Sequence, residues 1–240
     1  LAFTGEHEIV VLFRREGGES PACFFPDTLD LLNHALKTHL NLTLSMGMGQ
    51  ECLSRMDIPA GFAQARRMAA LRFFDGPAAF HCGREAAAGR PFIAKRSVQR
   101  NMQEAIFRQD AGEAFRLIDS WFEEMAGLRS YDQIQAIRRG VVETWVFISG
   151  YSIPEGADMP EYDEIYSTGD FWGAETLADL KGCFKAAVQS VVDYLMANKN
   201  ANPEITRFLQ YLEDHVDENI SLEEAAGWCA LGKSQFCILF

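Results

Sequence analysis

The side chains best suited to chemistry by type and spacing stand near the C-terminal end of the chain. Ser234, Cys237 and Ile238 fall at i, i+3 and i+4, so a helix places them on one face. Phe236, Leu239 and Phe240 repeat that spacing on the opposite face, which is the one to bury. On the outer face Lys233 can neutralise a phosphate, and Ser234 can donate a hydrogen bond to a base or phosphate. Ile238 offers only an apolar contact, for instance to a thymine methyl. The plainer alternative for Lys233, Ser234 and Gln235 is a solvated helix start, and the DNA-facing reading is the one favoured.

Other constellations are weaker. Gly47-x-Gly49 fits a phosphate cradle or a plain turn. His34 and His39 are five apart on a predicted helix, which does not align them for a metal, and a solvated face fits better. Cys23, Cys52, Cys82, Cys183, Cys229 and Cys237 are scattered, with no C-x-x-C pair. That pattern favours free thiols in a reducing cytoplasm over disulfides or zinc. No Ser sits in a nucleophile-elbow context. Trp121, Trp145 and Trp172 suit core or interface positions. The acidic, aromatic stretch from Tyr151 to Trp172 reads as a long connection or a partner surface. We expect no catalytic residue, no metal and no cofactor.

The elements that would hold the terminal face follow from pattern. Asn202-Pro203-Glu204 starts a helix with Ile205, Phe208, Leu209 and Leu212 on one face. Ser221 and Glu224 have capping-box spacing and begin a second, short helix carrying Leu222, Ala225 and Ala226. Leu231-Gly232 turns the chain into a third. Two short helices joined by a Gly-containing turn outline a helix-turn-helix. Phe236 is expected to pack on Leu222, Ala226 and the first helix.

These residues also resemble a family. Ile220-Ser221-Leu222-Glu223-Glu224-Ala225-Ala226, then Leu231, Ser234, Phe236, Leu239 and Phe240, are similar to the first half of an AraC-type DNA-binding domain. The resemblance implies that Lys233, Ser234, Gln235, Cys237 and Ile238 face DNA, and that a second helix-turn-helix lies beyond Phe240. Gly232 stands where the family usually has a capping Ser, and Gln235 where it usually has an aromatic. From Asn202 onward the cations Arg207 and Lys233 stand against seven carboxylates. Weak DNA binding is the expectation, since phosphate contacts dominate affinity.

Further back, Glu8 to Phe13 reads as a buried strand, Asp27 to Leu40 as a helix burying Leu29, Leu32, Leu36 and Leu40, and Asn41 to Gly49 as a strand and tight turn. Phe62 to Phe73 is an Ala-rich helix, and Pro77 to His81 an edge strand. That order predicts an α/β layer. It resembles the second half of a GGDEF-type cyclase fold in degenerate form, with Gly5-Glu6-His7-Glu8-Ile9 at the signature. Glu6 then replaces a Gly that the nucleotide needs and His7 replaces the central acid, so the resemblance implies a scaffold or sensor and not a cyclase.

Between these ends, Gly83 to Pro91 reads as a linker. Met102, Ala105 and Ile106 mark one helix, and Ala114, Phe115, Ile118, Trp121, Phe122 and Met125 another. A third carries Ile134, Ile137, Val141, Val142, Trp145 and Ile148. Thr176, boxed with Asp179, caps a fourth carrying Leu177, Leu180, Phe184, Val188, Val191, Val192 and Leu195. These make a helical bundle, similar in order and length to the spacer of AraC-type response regulators.

The expected architecture is α+β/α and multi-domain: a partial cyclase-like α/β layer over 1–92, a helical bundle spacer over 93–200, and the first half of an all-α helix-turn-helix domain over 201–240. The chain opens without Met and stops within an apolar helix, so it reads as an internal fragment. A net charge of −12 argues against coating nucleic acid with the whole surface. No run reaches the ~20 apolar residues that span a bilayer. The expected function is a cytoplasmic DNA-binding transcription regulator, with an upstream receiver domain implied by the resemblance. The exposed faces of the Gln99–Gly127 and Ala174–Ala197 helices suggest a homodimer, because paired half-sites suit paired proteins. The alternatives are a ligand-sensing or dimerisation scaffold without DNA binding, and a cyclase.

Overall fold

The computed structural model describes residues 2–4, 8–13, 21–83, 89–152, 169–197, 208, 212, 220–229 and 231–239. Gly5 to His7, most of the Tyr151–Trp172 stretch and most of the helix expected after Asn202 lie outside them. Chain contacts divide the molecule into two units, Leu1–Arg72 with Pro77–Arg84, and Phe73–Gly76 with Glu85–Phe240.

In the first unit, β1 (Ala2–Thr4) and β2 (Ile9–Val11) form an antiparallel ribbon with Phe3 opposite Val10. The expectation of a buried strand fails here. Ile9 and Val11 are 63% and 59% exposed, while Val10 between them is half-buried. An apolar run reads as buried on both faces, but β2 is partly covered on one.

Helix α1 (Pro21–Leu40) starts six residues earlier than the predicted Asp27, taking Pro26 inside it. Its inner stripe is Leu29 and Asn33, flanked by half-buried Phe25 and Leu36. Leu32 and Leu40, expected inside, are exposed. The Asn33 amide holds the inner face because it pairs with the Leu44 backbone on both sides, so a polar residue takes the place the leucine spacing assigned to Leu32.

β3 (Met46–Gly47) and β4 (Phe80–His81) are parallel, Met46 opposite Phe80 and Gly47 opposite His81. The ladder continues where the Met48 N–H donates to the His81 carbonyl at 2.8 Å. Helix α2 (Ile58–Ala70), entered through a 3-10 turn at Arg55–Asp57, makes the crossover of this βαβ unit. Among the described residues, the strands of the expected α/β layer thus divide between two two-stranded sheets.

The second unit is helical. After α3 (Arg72–Asp75), whose last residues belong to it, come α4 (Arg96–Phe107), α5 (Ala111–Ala126), α6 (Tyr131–Ser152), α7 (Gly169–Gly173) and α8 (Leu177–Ala197). α4, α5, α6 and α8 pack on one another around Met102, Ile118, Trp121, Trp145, Phe184 and Val188, all buried. The four predicted apolar stripes form this bundle core, with Phe115, Val142 and Leu195 at its half-buried margin. Trp172 stays 46% exposed on α7.

Polar residues set the crossings. Gln99 donates to the Thr144 hydroxyl at 3.1 Å, and that hydroxyl donates to the Gly140 carbonyl at 2.8 Å. Both Gln99 and Thr144 are buried, where an unmade hydrogen bond is costly. The Gln133 amide takes the Phe92 N–H and donates to the Arg90 carbonyl. Arg90, inside the stretch read as a linker, and Phe92 just after it are thus fastened to α6. Phe92 lies over Gly140, where a Cβ would stand 2.6 Å from its ring. Thr176 and Asp179 close the expected capping box on α8, with the Asp179 N–H donating to the Thr176 hydroxyl at 3.0 Å.

Candidate nucleic-acid interface

Ser221 and Glu224 build the start of α9 (Leu222–Trp228). The Ser221 hydroxyl accepts from the Glu224 N–H, while the Glu224 carboxylate accepts from the Ser221 N–H at 3.0 Å and from its hydroxyl at 2.8 Å. These bonds, the backbone N–H first, hold the Glu224 carboxyl below its ordinary pKa. The helix ends where the Cys229 N–H reaches the Ala225 carbonyl and the Leu231 N–H reaches that of Ala226. The Phe236 N–H then donates to the Gly232 carbonyl at 2.9 Å, so Gly232 opens α10 (Lys233–Leu239) with backbone alone.

Phe236, Ala225, Ala226, Cys229 and Phe208 form one buried cluster, edged by Leu212, Ile220 and Leu231. The Phe208 and Phe236 rings meet edge to face with centroids 5.4 Å apart, a favoured aromatic geometry. Phe208 and Leu212 are themselves helical, four residues apart. Leu222, expected beneath Phe236, is 48% exposed and outside the cluster. It sits in the first turn of α9, while the contact is centred on the turns that carry Ala225 and Cys229.

With Phe236 inward, Ser234 and Cys237 are exposed on α10. Lys233 is exposed too, but its ammonium is bonded to the Glu223 carboxylate of α9. The side chains of Gln235 and Ile238 lie outside the described residues, as do those of Leu239 and Phe240. Sequence reasoning did not foresee Glu223 as a partner. The two residues are ten apart, and only the turn between α9 and α10 brings them together.

The other sequence candidates lie apart from this face. Gly47 and Gly49 form no turn: a Cβ on Gly47 would stand 2.1 Å from the Ala65 carbonyl oxygen, and one on Gly49 2.0 Å from that of Gly61. Their lack of side chains lets an extended segment lie directly against α2, which leaves no room for a phosphate. His34 and His39 are exposed on α1. Cys52, Cys82, Cys183, Cys229 and Cys237 are free thiols. Burial pushes the Cys183 thiol pKa up. Among the described residues no three His, Cys, Asp or Glu side chains gather as metal ligands, and no helix is long and apolar enough to cross a membrane. Compared with known proteins, the chain matches no family model, no curated protein and no solved structure.

Proposed function

We propose that this chain is a DNA-binding transcription regulator of the kind that AraC-type response regulators represent, reading DNA with α10. The observation that carries the reading is the burial of Phe236 against Phe208, Ala225 and Ala226, which fixes α10 with Ser234 and Cys237 outward. A helix held this way on α9 and Phe208 is what a major groove accepts. In this reading the bundle relays a signal and pairs two copies, and the first unit is a non-catalytic scaffold.

Charge makes the binding weak. Each neutralised phosphate adds about −0.9 to the slope of log affinity against log salt, and Lys233 is the one cation of this face among the described residues. Fluorescence anisotropy with a labelled mixed-sequence duplex tests the reading. The expected result is saturable binding at low salt, with a slope no steeper than about −1, weakened by Ser234→Ala. Absence of saturable binding at low salt would instead favour a dimerisation or ligand-sensing scaffold. That second reading draws on the excess of carboxylates over cations and on the engagement of Lys233 by Glu223.

A further inference from the structure

Lys233 and Glu223 form an ion pair that joins the first turn of α9 to the first turn of α10, and both side chains are more than half exposed. On the proposed DNA face this is the one described ammonium, since the segment's other cation, Arg207, lies outside the described residues. We propose that Glu223 is a built-in competitor for the phosphate that Lys233 would hold, so that the face carries an electrostatic brake on DNA binding. This rests on the DNA-binding reading above and names how that site is restrained.

The chemistry is direct. A carboxylate and a phosphate oxygen present the same acceptor to an ammonium. Paired with Glu223, Lys233 offers an incoming phosphate no net positive charge, and the carboxylate stands beside the polyanion. The restraint is electrostatic and exposed, so salt screens it. Its effect is largest at low ionic strength and weakens as salt is added. Any event that removes the Glu223 charge or supplies a competing cation would release the brake.

Three variants of the 240-residue chain decide the matter: Glu223→Gln, Lys233→Gln, and the two together, titrated with the same labelled duplex across a salt series. Glu223→Gln should tighten low-salt binding about fivefold, or ~1 kcal/mol at 1.4 kcal/mol per tenfold. It should also steepen the salt slope by up to about 0.9, as one phosphate becomes neutralised. Lys233→Gln should change little on its own yet abolish the gain in the double variant. Circular dichroism should show equal helix content in all four proteins.

Unchanged affinity and slope in Glu223→Gln, with the parent still binding, would overturn the brake and leave the DNA-binding reading standing. Retention of the gain in the double variant would also overturn it, because simple loss of negative charge would then explain the effect. No saturable binding by either parent or Glu223→Gln would overturn both.

Discussion

The Asn33 side chain pairs with the Leu44 backbone as a strand neighbour would: its Nδ2 donates to the Leu44 carbonyl at 2.9 Å, and its Oδ1 accepts from the Leu44 N–H at 2.6 Å. This ring ties α1 to the segment leading into β3. Asn33→Leu would fill similar space but orphan both backbone groups, each costing about 1–3 kcal/mol where water cannot replace the partner. We expect a loss of at least ~2 kcal/mol in the first unit's denaturant transition. Asn33→Asp should also lose stability, because a carboxylate cannot donate to the carbonyl. A midpoint shift with an unchanged m-value would locate the effect in the native state.

The glycines of the βαβ unit should differ in cost by what a methyl group meets. Gly49→Ala drives a Cβ to 2.0 Å from the Gly61 carbonyl oxygen, a backbone atom that can move only with α2. Gly61→Ala meets the Cys52 Sγ at 2.7 Å, the end of a side chain that can rotate. Gly49→Ala should therefore destabilise by ~3 kcal/mol or more and Gly61→Ala by about 1 kcal/mol. Gly182→Ala in α8 meets nothing within 4 Å, and should stabilise the bundle by roughly 0.5–1 kcal/mol through helix propensity. Thermal melts of the three variants test this order.

Phe236→Ala should unfold the helix-turn-helix, since deleting a buried aromatic costs about 3–5 kcal/mol. Leu222→Ala, at a half-exposed site outside the cluster, should cost under about 1 kcal/mol. Amide exchange across 220–239 separates the two outcomes. Equal protection in both variants would show that Phe236 is not the residue holding α10.

Acid should loosen the helix-turn-helix and the bundle by the same rule. The Asp119 carboxyl lies below its ordinary 3.8, first because Lys185 and then because Lys181 bonds it, and Glu224 is lowered by Ser221. A carboxylate whose folded pKa is depressed adds stability above its unfolded pKa, and that stability is lost as pH falls through the folded value. Stability should thus be level near neutrality and fall as pH drops from the usual carboxylate range toward the lower folded values. Asp119→Asn and Glu224→Gln should each flatten that acid limb while leaving the neutral slope unchanged, measured by melts across a pH series.

Much of the helical part was legible in sequence, for a plain physical reason. The stripes of Met102, Ile118, Trp121, Ile137, Trp145, Phe184 and Val188 are each periodic within one helix, and burial of such a stripe needs no long-range information. The boxes at Ser221–Glu224 and Thr176–Asp179 are also local, each closing between residues three apart. The first unit was less legible. Leu32 and Leu40 have the right spacing yet face water, and Asn33 takes the inner face, because its partner Leu44 sits eleven residues on.

What only the tertiary structure decided is how distant residues meet. Composition made the C-terminal segment acidic and left it two cations, but the turn between α9 and α10 put Glu223 on Lys233. Spacing placed glycines at 47 and 49, but the close approach of α2 made them packing surfaces and not a phosphate loop. An apolar run marked the strand near Ile9 and alternation the one near Met46, while hydrogen-bond pairing assigned them to separate sheets. Local periodicity fixes which face of a helix is apolar. Which backbone, carboxylate or carbonyl stands opposite it depends on chain reversals whose geometry no short window of sequence contains.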